Sequence, residues 1–219
     1  MTDIIFINAQ LALIGVTNLG EALQEYLALN DSIGKRIKTT PTILPFGQDP
    51  NIPAEIPIVQ SRDESSGVGI NISRNRVDFL AFNSGLIDFF SLSQKIIENY
   101  SGRRMSRVGI ICQYIVPIPN PSAWIKSIFL NSTLSQVDEP FLRYNKKETL
   151  GGNLINRVFQ IQEVIATINS KNQQPCAHIQ IDINTPLQSS QLIETSMVSS
   201  LVNSKQGLGK VKTVEELLK

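Results

Sequence analysis

The stretch that most constrains this chain is "RVGIICQYIVPIP", residues 107–119. It is almost continuously apolar and rich in β-branched side chains, and Pro117 and Pro119 end it. A membrane-spanning helix takes about 20 such residues, so the run is too short to cross a bilayer. It fits a strand at the crowded centre of a sheet, where neighbours cover it. Such a strand needs partners, and the chain offers several.

In "CAHIQIDIN" side chains would alternate between faces of an extended strand, with Ile179, Ile181 and Ile183 on one side and His178, Gln180 and Asp182 on the other. "NRVFQIQEVIATIN" precedes it across the short polar link "SKNQQP", which predicts an antiparallel hairpin. "EPFLRYNK" is a further strand, joined to the long one by a turn at Gly151-Gly152. Residues 4–16 read as an opening strand. In "GVGINISRNRVDFLAFN", Val68, Ile70 and Ile72 alternate with Gly69, Asn71 and Ser73, and the polar "SRNR" turns the chain into a second extended run.

Helices fall between these strands. Asn18 followed by Glu21 has the spacing of a capping box, with Leu19, Leu23, Tyr26 and Leu27 on one helical face. Leu86, Phe89, Phe90, Ser93, Ile96, Ile97 and Tyr100 form an apolar stripe that Gly102 would close. Asn120 then Pro121 is a strong helix start, with Trp124, Ile128 and Phe129 turned to the core. Thr185 and Pro186 would begin a last helix. Prolines at 41, 45, 50, 53 and 57 exclude a helix or central strand from the connector between the first helix and the first hairpin. Strands in meandering pairs separated by single helices predict an α+β fold, an antiparallel sheet built from hairpins with helices packed on one face. Residues 1–202 are expected to form a single domain, and the Lys- and Gly-rich residues 203–219 a loosely held tail.

With 219 residues, 42% of them hydrophobic, the chain can bury a substantial core. A net charge of +1 supplies no global field toward nucleic acid or anionic lipid. The N-terminus carries Asp3 where a secretory leader wants a basic residue, and no stretch has the length of a membrane span, so a cytoplasmic protein outside the membrane is expected. One histidine and two distant cysteines leave no His/Cys metal cluster. A Cys112–His178 catalytic pair lacks a third residue to orient it. No phosphate-binding loop is present, and "GVGINISR" lacks the third glycine and following helix of a dinucleotide site. No catalytic residue, metal ligand or cofactor site is therefore expected. The row His178, Gln180, Asp182 reads as the solvated face of a half-buried strand.

Three basic clusters stand out: Lys35-Arg36-Lys38, Arg74 with Arg76, and Arg103-Arg104-Arg107. The third is the best placed to grip phosphate, since its arginines lie close together beside Tyr100.

"DIIFINAQLALIGV" with its following helix, the proline-rich connector and "EIPIVQSRDESSGVGINISRNRVDFLAFNSG" together resemble a sporadically distributed, uncharacterised family of small bacterial α+β proteins. The correspondence rests on Pro57 to Gln60, on Phe82 with Asn83, and on the apolar strand "RVGIICQYIVPIP" after the middle helix. The chain departs from the family pattern at the end of the first strand, which lacks an arginine. It departs again at Cys112-Gln113-Tyr114, where the family has an arginine-tyrosine pair. The resemblance carries no established activity; the family's scattered distribution implies accessory, mobile genes of the defence or toxin–antitoxin kind.

The leading expectation is a non-enzymatic binding protein, an accessory or regulatory subunit that meets a protein partner or another copy of itself through a sheet face or edge. The alternative is a nucleic-acid-binding component that uses Arg103, Arg104 and Arg107. A third reading is an enzyme whose site is assembled from scattered Asp, Glu and Tyr.

Overall fold

The computed structural model describes residues 3–45, 49, 51–130, 138–168, 173–186 and 192–218. Strand β1 (Ile5–Ile14) is followed by helix α1 (Ala22–Ser32) and short strand β2 (Thr42–Ile43), then by β3 (Val59–Asp63), β4 (Val68–Ile72) and β5 (Arg76–Phe82). A 3-10 helix (Asn83–Asp88) leads into α2 (Phe89–Glu98). Next come β6 (Arg104–Met105), β7 (Arg107–Pro117) and α3 (Pro121–Phe129). The last third holds β8 (Leu142–Leu150), β9 (Asn153–Thr167), β10 (Gln173–Asn184), β11 (Ile193–Glu194), α4 (Thr195–Ser204), a second 3-10 helix (Gln206–Lys210) and α5 (Val214–Leu218).

Nine strands form one sheet in the order β2-β3-β4-β5-β1-β7-β10-β9-β8, with every pairing antiparallel. The architecture is α+β, as the pattern of hairpins and single helices implies. β7, the apolar run, sits inside the sheet between β1 and β10. Its alternate residues Val108, Ile110, Cys112, Tyr114 and Val116 are buried on one face. The register places Leu11, Phe79, Ile70, Ile181 and Phe159 on that same face.

Each helix reaches this covered face. Tyr26 of α1 bonds to Ser61 of β3, and Phe89 of α2 stacks on Phe79 of β5. Ser122 of α3 donates to Glu163 of β9, and α4 buries Val198, Leu201 and Val202 in the same core. The carbonyl of Leu217 in α5 accepts from Arg157 of β9 at 3.0 Å. Buried residues from Ala9 to Leu217 make one continuous cluster.

Local rules account for several boundaries. Asn120 caps α3 by accepting from the Ala123 amide at 3.0 Å, with Pro121 at the first turn. Gly151 and Gly152 have φ of +56° and +81°, the left-handed pair that a two-residue hairpin turn demands. Asp63 closes the β3–β4 turn by accepting from the Ser65 and Ser66 amides.

Other boundaries depart from the sequence expectation. Asn18 takes a left-handed φ of 54° and caps nothing; α1 starts four residues later, and Glu25 satisfies the Gly20 amide instead. Its buried face holds Glu25, Tyr26 and Leu29, while Leu27 is exposed. Thr185 starts no helix. It prolongs the pairing of β10 with β7, its amide donating to the Val108 carbonyl and its hydroxyl accepting from the Val108 amide, both at 3.0 Å. Residues 187–191, where that helix was expected to run, lie outside the described residues, and α4 begins at Thr195. The link between β9 and β10 also lies outside them at residues 169–172, although the two strands pair as expected. Within the proline connector, residues 46–48 and 50 are likewise outside, and Thr42 and Ile43 pair with β3.

Residues 203–219 were expected to be loosely held. There Leu208, Val214 and Leu217 are buried, and the Leu208 carbonyl accepts from the Tyr114 hydroxyl at 3.0 Å. Apolar spacing within a Lys-rich segment, rather than its charge, decides the docking.

Candidate functional site: the open face and long edge of the sheet

The face opposite the helices is mixed, with amides and charged groups set among Leu80, Ile111, Ile115 and Val158. His178, Gln180 and Asp182 project from it, while Ile179, Ile181 and Ile183 are fully buried behind them. Asn8, Gln113, Gln180, Gln160 and Arg143 stand opposite one another across five strands. Gln113 donates to Gln180 at 2.9 Å and accepts from Asn8 at 3.4 Å. Gln10 donates to Asp78 at 2.8 Å, and Arg76 pairs with the same oxygen at 2.9 Å. Asn184 donates to Asp182 at 2.9 Å. Amides that bond one another in rows hold the face in order and spend their donors within the protein.

The nine strands, two to fifteen residues long and about 4.8 Å apart, give this face about 1,200 Å², more than one side of a standard protein interface. Phe82 is the one aromatic that the nine strands direct to it, and the Arg62 guanidinium covers that ring at 3.9 Å. Single-stranded nucleic acid is gripped by stacking bases on open aromatic rings, and the face presents no such ring.

Cys112 and His178 do not assemble into a pair. Cys112 lies on the covered face and His178 on the open one, so the sheet separates them. Burial pushes the Cys112 thiol up to about 12, and burial also lowers the His178 pKa, so both groups are neutral at pH 7. Cys112 and Cys176 are free and buried. Among the described residues no group of three or more His, Cys, Asp or Glu is placed to hold a metal ion. No described helix is long and apolar enough to cross a membrane.

The arginine cluster disperses. Arg103 pairs with the buried Glu25 carboxylate at 2.8 Å and lies over the Tyr100 ring at 5.2 Å. Arg104 pairs with Glu194 at 2.6 Å across the β6–β11 bridge. Arg107 starts β7 opposite Ile14. Two of the three guanidiniums thus have an intramolecular carboxylate. In the other clusters, Arg36 pairs with Asp88, Lys35 with Asp31, and Arg74 donates to the Ile52 carbonyl.

Sequence reasoning offered a sheet edge without saying which strand forms it. β8 pairs with β9 through an unbroken register from Leu142↔Ile161 to Leu150↔Asn153, and no described strand pairs with its outer side. Residues 143–147 are all exposed. The inner side is nonetheless firmly held. Tyr144 stacks on Phe159 with ring centroids 4.7 Å apart. Glu148 accepts from Lys205 at 2.7 Å and pairs with the buried Arg157 at 3.4 Å. Burial alone would raise the Glu148 pKa, but Lys205 and Arg157 outweigh it and hold the group below the usual carboxylate range. The available signal was "RYNKKE", whose basic residues are unneeded for any hairpin and suit an exposed edge.

Where β8 leaves β9, a recess of about 700 Å³ opens, lined by Phe141, Ile165, Asp138, Glu139 and Glu163. Its carboxylates give it the opposite charge to β8. Compared with protein-family models and with curated proteins, the chain matches none.

Proposed function

We propose that this protein is a non-enzymatic binding protein, an accessory or regulatory subunit that engages a protein partner at the long edge of its sheet. The observation that carries the reading is β8 itself: nine residues in unbroken register, exposed along the strand, locked on its inner side and unpaired by any described strand on its outer side. Such an edge directs alternate backbone N–H and C=O groups outward, the template for adding a strand from another chain. The resemblance to a family of mobile bacterial genes fits a subunit of a defence or toxin–antitoxin assembly.

A photocrosslinking residue placed at Asn145 of β8, at Thr42 of β2 or at Gln180 of the open face, in the native host, tests this. A discrete protein adduct from position 145, absent from 42, is expected. Adducts from position 180 alone, or from none of the three, contradict the edge reading.

A further inference from the structure

We infer that the segment which adds to β8 is an extended stretch of a partner protein that alternates acidic and apolar residues; this rests on the edge reading above. The argument is charge and facing. Arg143 and Lys147 project to the open face, are exposed, and form no ion pair with a described residue. Tyr144, between them, projects to the covered face with its outer part exposed. Glu148, the strand's one carboxylate, is occupied by Arg157 and Lys205. A strand laid along β8 therefore meets Arg143 and Lys147 on one face, and Tyr144 with Lys146 beside it on the other. Carboxylates opposite Arg143 and Lys147, and an apolar side chain beside Tyr144, are the complementary set.

A second copy of this chain fits poorly in the register centred on the strand. Turning one β8 onto another about a two-fold axis at Asn145 sets Arg143 against Lys147 twice. Like charges directly opposite are destabilising. Arg143 and Lys147, which deter self-pairing in that register, are thus also the residues that select an acidic segment. The carboxylate-lined recess beyond Leu142 limits the acidic stretch to the span of β8.

The test uses the full chain, isotope-labelled, and three synthetic peptides matched to β8 in length. Each has leucine and threonine at one set of alternate positions, with glutamate, glutamine or lysine at the other. The glutamate peptide is expected to shift the resonances of residues 142–150, to slow their amide exchange, and to bind about tenfold more tightly than the lysine peptide, as two cross-strand pairs turned from repulsion to attraction imply. The preference should invert in Arg143→Glu/Lys147→Glu and vanish in Arg143→Gln/Lys147→Gln; both sites are exposed, so both variants should fold. Equal binding of all three peptides at β8, or a preference for lysine, overturns the acidic assignment while leaving the edge reading in place. No effect of any peptide at β8, together with no adduct from position 145, overturns both. A concentration-dependent dimer that occupies β8, or a DNA single strand that shifts the same residues more strongly than the glutamate peptide, also overturns the inference.

Discussion

The two ends of the sheet are built in opposite ways. At one end β2 has two residues and β3 five, and the proline-rich connector supplies the edge. At the other end β8 has nine residues, β9 fifteen and β10 twelve. A sheet edge is a hazard that short strands and proline blunt. The β2 end uses both devices. The β8 end uses neither, keeps a straight register, and relies on charge alone. The contrast is between one edge blunted by backbone chemistry and another that is long, exposed and basic, the feature on which the proposed strand addition rests.

The sharpest way to break the comparison is to release β8 from within. Arg157 is buried, pairs with Glu148, donates to the Leu217 carbonyl and lies 4.9 Å from the Phe159 ring centre. Arg157→Ala should cost about 3 kcal/mol, at the lower end for breaking a buried pair because Lys205 still faces Glu148. Urea unfolding measures it, and exchange at β8 should quicken well before exchange at β4. A loss under 1 kcal/mol would mean that β8 is not held by this network.

A smaller effect is expected at the hairpin that launches the edge. Gly152→Val forces a β-branched residue to a φ of +81° and should cost about 1–2 kcal/mol, with β8 signals affected first. Unchanged stability would show that the turn has another accessible geometry. At the α3 cap, Asn120→Ala should cost about 1 kcal/mol and leave both edges untouched. If the β8 signals change as well, α3 and the long edge are coupled.

The two ends also share a pH response. Asp63 near the short edge is held far below the usual carboxylate range, first by the Ser65 hydroxyl and then by the Lys38 amide; Glu148 at the long edge is held below it by Lys205 and Arg157. Depressed carboxylates stabilise the fold above their unfolded values, near pH 4, and that stability is lost as pH falls through the folded values. Unfolding followed from pH 7 to 3 should therefore show declining stability below about pH 4.5. Glu148→Gln should flatten part of the decline, and an identical slope would remove Glu148 from the account. His178 acts in the same sense with a small effect, since its lowered value makes charging favour the unfolded chain below about pH 6.5.

Much of the sheet was legible because alternation is a local signal. Ile179, Ile181 and Ile183 against His178, Gln180 and Asp182 needed only the period of a strand, and Asn120-Pro121 only the chemistry of a helix start. The start of α1 was not legible. Asn18 and Glu21 have capping spacing, yet Glu25 reaches back to Gly20 and Arg103 arrives from 78 residues away to fix it. The candidate site was hidden for the same reason. Arg103-Arg104-Arg107 looks like a cluster along the chain, but carboxylates at positions 25 and 194 decide where two of its members point. The exposure of β8 follows from strand order, of which the strand itself carries only the basic residues of "RYNKKE" as a sign.

The most direct measurement is amide hydrogen exchange on the full chain, alone and in complex with the protein that crosslinks at position 145. Slowed exchange along Leu142–Leu150, with no change at Thr42–Ile43, is the predicted result. Protection spread over β2 or over the open face, with β8 unaltered, would contradict the claim that the long edge is where this protein binds.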